Sequence, residues 1–139
     1  MNGLEDVRTT VHAALVAAVL DAGVLPVTSV HPYPPDELAL PAIWLMSPFG
    51  MRPADARTIV AEVSVIVAVD GAEAAQIAAL DTLQAVAWVA LETVGTATLA
   101  TPTAFVAAGV TLHAVTISAD VDVDVRTLCP PVLTLSRTN

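Results

Sequence analysis

The chain contains no lysine, a single cysteine and few aromatic residues. Fourteen carboxylates stand against five arginines, giving a formal net charge of −9. This balance disfavours a groove that grips nucleic acid, because neutralising phosphates requires clustered cations. The lone Cys129 cannot form a disulfide within the chain, which fits a reducing compartment.

Charged residues are also scarce. They make up 14% of the chain, whereas 55% of the residues are hydrophobic. One domain of 139 residues cannot bury that much apolar surface, so we expect self-association or a large partner. The alternative is a monomer whose many alanines and valines reflect a GC-rich genome.

No pattern typical of catalysis, cofactor binding or metal binding is present. The three histidines are far apart, and there is no glycine-rich phosphate loop. Residues 120–124 alternate aspartate with valine and resemble the start of a calcium loop. The EF-hand, however, needs glycine at its sixth position and glutamate at its twelfth, where this chain has Val125 and Pro131. We therefore expect no enzyme, no cofactor and no metal site.

Neither a signal peptide nor a membrane segment is predicted. Residues 93–119 are uncharged and long enough to cross a bilayer, but their glycines, proline and threonines favour strands and turns. We expect one domain over residues 1–128 and an extended arm over residues 129–139. Within the arm, residues 132–135 alternate as Val-Leu-Thr-Leu, so a last short strand is the alternative.

A strand followed by a helix forms the centre of the predicted fold. Odd positions from 59 to 69 are all apolar, the period of a strand covered on one face. Asp70 and Glu73 have the spacing of a capping box, which predicts a helix over residues 71–93. Its main apolar stripe should pack on the odd face of the strand and comprises Leu80, Leu83, Ala87, Ala90, Leu91 and Val94.

The remaining elements complete an α+β fold with a single mixed or antiparallel sheet of about four to five strands flanked by two helices. The first helix is predicted over residues 3–22 and ends at Gly23. Strands are predicted at residues 24–30, 40–46 and 110–125, with a possible short strand at 95–102. Residues 47–56 are predicted to be a loop or long hairpin tip.

The order of these elements resembles that of the tail terminator proteins of long-tailed bacteriophages (siphoviruses), the lambda-type family. The resemblance covers residues 4–128, and its most characteristic piece runs from Tyr33-Pro34 to the strand that opens Leu40-Pro41-Ala42-Ile43-Trp44. The arm at residues 130–139 and the absence of lysine depart from the family pattern.

The resemblance implies a structural virion protein of the neck, made in the host cytoplasm. It implies a homo-oligomeric ring, usually a hexamer, that caps the tail tube, ends its polymerisation and joins the tail to the head connector. DNA would pass through without specific binding. The alternatives are another neck protein, such as a head-closure or tail-tube adaptor ring, and a small oligomeric ligand-binding domain.

Three groups of residues are candidates for the contacts of such a ring. The tail-tube contact is predicted at Phe49, Met51 and Arg52, with packing of Phe49 and Met51 over the core as the alternative. The subunit interface is predicted at Val16, Leu20 and Trp88, outside the main helical stripes. The channel lining is predicted at the acidic positions Glu62, Asp120, Asp122 and Asp124, with a solvated outer rim as the alternative.

Overall fold

The computed structural model describes residues 3–71, 73–107 and 110–124. Two long helices, α1 (Leu4–Ala22) and α2 (Ala74–Glu92), lie on one face of a six-stranded sheet. The strands are β1 (Val30–His31), β2 (Ala42–Leu45), β3 (Gly50–Pro53), β4 (Thr58–Ala68), β5 (Thr96–Ala107) and β6 (Val110–Asp124). The α+β class is confirmed, with six strands rather than four to five.

The sheet is mixed. Its order is β1-β2-β4-β6-β5, and β3 also pairs with β4. All pairs are antiparallel except β1 with β2. Strands β2 and β3 follow each other along the same side of β4, so they act as one strand interrupted at residues 46–49.

The main core lies between the helices and the central strands β4 and β6. Odd positions of both strands point toward the helices, in a register that sets Val65 opposite Ile117 and Ala61 opposite Val121. The α2 stripe of Leu80, Leu83, Ala87, Ala90 and Leu91 is buried against them, as predicted. Alternation alone therefore identified which face of each strand the helices cover.

A smaller apolar cluster lies on the opposite face of the sheet. It consists of Ala42, Trp44, Ile66, Ala68 and Ala114, with Leu38 and Leu40 packed over it from the proline-rich link between β1 and β2, residues 32–41. Trp44 thus lies opposite Ile43 and Leu45, as the alternation predicted. The link shields this end of the outer face from solvent, while the other end is exposed.

Two predicted boundaries were wrong. No capping box forms at Asp70, because Gly71 at φ +126° and an extended Glu73 carry the chain onward, and α2 begins at Ala74 with Glu73 as its N-cap. Residues 24–30 are not a strand. They form a 3₁₀ turn (Val27–Ser29), and β1 occupies only Val30 and His31.

Two stretches contain more strand than was predicted. Residues 47–56, predicted as a loop or hairpin tip, include β3, and the short strand considered at residues 95–102 is the twelve-residue strand β5. Pro102 is accommodated in β5 because that strand lies at the edge of the sheet, where one side needs no backbone donor. The predicted arm and the end of the last strand, residues 125–139, lie outside the described residues.

Candidate functional site

The four predicted channel carboxylates lie on the face of the sheet away from the helices. The register sets Glu62 opposite Asp120, with Asp122 opposite Val60 and Asp124 opposite Thr58. They belong to even positions of β4 and β6, which alternate with the buried odd ones. We call Glu62, Asp120, Asp122 and Asp124 the acidic face.

Arg52 lies at the centre of the acidic face and was not predicted there. Its Nη1 and Nη2 donate to Asp120 Oδ1 at 3.1 Å and Oδ2 at 2.6 Å, and Nη1 also donates to Glu62 Oε2 at 3.2 Å. Gly50, directly opposite Glu62, has no side chain that would compete for this space. The guanidinium therefore bridges the two carboxylates that the β4–β6 register brings together.

The Arg52 contacts shift two pKa values. Hydrogen bonding from Arg52 and its positive charge lower the pKa of Asp120, against a smaller opposing effect of burial. The same hydrogen bond to Asp120 raises the pKa of Arg52. Both partners remain accessible, at 46% exposure for the Arg52 side chain and 23% for that of Asp120, so solvent and salt screen the pair.

A second arginine, Arg8, is buried beneath the proline-rich link. Its Nη1 donates to the carbonyl of Pro32 at 2.6 Å, and both terminal nitrogens donate to the carbonyl of Met46 at 3.3 and 3.4 Å. The guanidinium stacks 4.4 Å from the centre of the Tyr33 ring and 4.1 Å from that of Phe49. Arg8 thereby fixes the link and the interruption between β2 and β3 to helix α1.

The predicted tail-tube residues do not share one environment. Phe49 is half-buried, packs against the main core and stacks on Arg8. Met51 is 50% exposed, and Arg52 belongs to the acidic face. The tip of the β3–β4 hairpin is instead residues 54–57, where Asp55 Oδ1 accepts from the amides of Arg57 and Thr58.

The three predicted interface residues also differ in their exposure to solvent. Val16 and Trp88 are half-buried against the protein's own core, whereas Leu20 is 70% exposed. Val89, which the sequence did not single out, is 63% exposed on α2. A shallow cavity of about 290 Å³ lies between the two helices beside Val89, lined by Ala18, Asp21, Ala22, Ala85, Val86 and Val89.

No family model matches this chain, and no curated protein matches it.

An apolar groove follows α2 on the side of the edge strand β5. One cavity of about 380 Å³ is lined by Ile77, Leu80, Asp81 and Gln84 from α2 together with Pro102, Thr103 and residues 112–115. A second, of about 420 Å³, continues along Asp81, Gln84, Ala85, Trp88 and Val89. We call these two cavities with the free edge of β5 the β5 groove.

The described residues carry little positive charge on their surface. Of the three arginines in residues 3–124, Arg8 is buried and Arg52 is ion-paired, which leaves the exposed Arg57. Within the same described ranges, no three histidine, cysteine or acidic side chains are grouped to hold a metal ion. Helix α2 is long and apolar enough to cross a bilayer by length and composition, a test that the core helix of a soluble protein also passes.

Proposed function

We propose that the protein forms a ring in the neck of a long-tailed bacteriophage. The ring would cap the finished tail tube, stop its polymerisation and join the tail to the head connector in the virion. The observation that carries the proposal is the contrast between the two sides of the subunit. One side presents an acidic face, and the helical side exposes the large apolar side chains Leu20 and Val89.

The helical surface supports self-association. Leu20 is exposed on α1, and exposed Val89 on α2 lines a cavity together with four alanine or valine side chains and Asp21. Subunits that each carry a net charge of −9 repel one another, so a stable contact between copies requires apolar side chains of this kind. Ring formation repeats the contact around a closed symmetry axis.

The acidic face supports the passage of DNA through the ring. Four carboxylates per subunit, of which Glu62 and Asp120 share one arginine, would line the lumen with negative charge. Phosphates gain no favourable contact there, because binding DNA requires lysine or arginine. DNA would therefore move past this surface without being retained.

The test is the mass of the protein in solution and its binding to the end of assembled tail tubes. We expect a closed ring, by light scattering and negative-stain imaging, that binds tube ends. Leu20→Glu with Val89→Glu should dissociate the ring while circular dichroism stays unchanged. Ala54→Glu, a charge added at the exposed hairpin tip, is the matched control and should leave the ring intact.

A monomer at micromolar concentration with native circular dichroism would contradict the ring. A ring that binds the head connector but not tube ends would instead place the protein in another layer of the neck, as a head-closure or adaptor ring. The two measurements therefore separate the state of assembly from its position in the neck.

A further inference from the structure

Strand β5 has an unpaired side next to an apolar groove. In the described part of the chain, β5 pairs with β6 on one side and has no strand on the other. The α2 side chains Ile77 and Trp88 border the groove along this edge, and Ile77 is 36% exposed. An open edge beside apolar side chains is a template for an added strand.

The length available for pairing is limited. Pro102 has no amide hydrogen, and it follows a run of six β5 residues, 96–101. A carboxylate stands near each end of this run. Asp81 lines the same cavity as Pro102, and Glu92 Oε1 accepts a hydrogen bond from the Ala97 amide. The site therefore suits a short apolar strand that carries a cation.

Residues 125–139 of this chain have that chemistry. They contain none of the fourteen carboxylates and two of the five arginines, Arg126 and Arg137, for a formal charge of +2. Residues 1–124 hold three arginines and all fourteen carboxylates, for a formal charge of −11. Within the segment, residues 132–135 alternate as Val-Leu-Thr-Leu, a pattern typical of a strand with one apolar face.

The direction in which the chain leaves β6 favours a neighbouring copy as the recipient. The described part of β6 reaches Asp124, four residues past Asp120, which pairs with the first residue of β5. The next five residues are Val-Arg-Thr-Leu-Cys, without a glycine, asparagine or aspartate to reverse the chain, and two prolines that favour extended backbone follow. An extended chain reaches about 26 Å beyond Asp124 by residue 132.

We propose that residues 132–136 of one copy add as a strand to the β5 edge of the adjacent copy. Leu133 and Leu135 enter the β5 groove, and Arg137 meets Asp81 or Glu92 according to the direction of the added strand. This exchange of arms rests on the proposed ring and supplies it with a contact that links each subunit to the next.

Cysteine cross-linking tests the exchange in the full chain. In a Cys129→Ser background, Leu135→Cys with Gln84→Cys should give a ladder of covalent multimers on non-reducing denaturing gels. Leu135→Cys with Ala54→Cys, which moves the second cysteine to the hairpin tip, should give none. A cross-linked monomer, or no cross-link, would overturn the exchange.

Removal of the arm provides a second measurement. A chain that stops after Val125 keeps every described element, and we expect its ring to dissociate at concentrations at least about tenfold higher than those of the full chain. Leu133→Ser with Leu135→Ser should have a similar effect, whereas Ser136→Ala should not. A truncated chain that stays as oligomeric as the full chain contradicts the exchange but leaves the ring standing. A full chain that is itself monomeric contradicts both.

Discussion

Leu83 is the side chain that best tests the packing of α2 on the sheet. It is 2% exposed and lies in the middle of the buried stripe. Leu83→Ala should lower the free energy of unfolding by about 2–5 kcal/mol, as for other buried leucines, measured by urea denaturation. Thr82→Ala on the exposed side of the same helix is the control. A loss below about 0.5 kcal/mol at Leu83 would mean that another face of α2 is buried.

Arg8 should be as sensitive as a core residue although it is charged. Arg8→Met retains the apolar stem but removes the donors to the Pro32 and Met46 carbonyls. Because hydrogen bonds to charged groups contribute about 1.5–3 kcal/mol, we expect a loss of that order in urea denaturation. Arg57→Met, at an exposed position, should change stability little. If the two variants lose the same free energy of unfolding, the Arg8 contacts do not hold the link.

Arg52 should control the titration of Asp120. In Arg52→Gln, the pKa of Asp120 should rise toward its ordinary value of 3.8. The measurement is the NMR chemical shift of the Asp120 carboxyl carbon across a pH titration. Since the folded-state pKa of Asp120 is depressed, its contribution to stability is complete above about pH 3.8 and is lost as the pH falls below that value. The variant should therefore lose less stability than the wild type on acidification. An unchanged Asp120 titration would mean that the ion pair does not form in solution.

At the scale of elements, the interruption between β2 and β3 separates two residues that the sequence placed together. The Met46 amide still donates to the Ser64 carbonyl, after which the chain leaves the ladder and rejoins it at Gly50. Phe49 lies in this interruption and packs inward, whereas Met51 lies on the rejoined strand and is exposed. Phe49 therefore has a structural role, whereas Met51 is a surface residue.

This difference changes how the proposed tail-tube contact is tested. Phe49→Ser should cost about 1–2 kcal/mol of stability, since a half-buried aromatic loses part of the about 1.5–3 kcal/mol of full burial. Met51→Ser should leave stability unchanged and weaken binding to tube ends, measured by co-sedimentation with tubes. If Met51→Ser caps tubes as well as the wild type does, β3 is not part of the tube contact.

The sequence predicted those elements whose pattern reflects burial on one face. Alternation located β4 and β6, and the helical period located both long helices with their buried sides. It did not predict β3, because Gly50–Pro53 is exposed throughout and gains its conformation from pairing with β4. The Arg52 bridge was missed for the same reason, since it depends on β3 and β6 lying on opposite sides of β4.

At the scale of the whole molecule, reversing the charge of the acidic face tests whether it lines the channel of the proposed ring. Asp120 holds Arg52, so the charge should be reversed at its neighbour, as Asp122→Lys. This variant should assemble normally but retain DNA in the neck and slow its ejection, more strongly at low salt, because each added lysine can neutralise a phosphate. Thr9→Lys with Thr82→Lys, on the helical side, is the control. Normal ejection across a salt series would place the acidic face outside the channel.

The pairing of β4 with β6 also determines when the sheet can form during synthesis of the chain. Strand β4 pairs along all eleven of its residues with β6, yet α2 and β5 lie between them in the chain. While the ribosome is still making those elements, one whole side of β4 has no partner, and its apolar residues are open to other nascent chains. The subunit can therefore complete its sheet only after β6 has emerged from the ribosome.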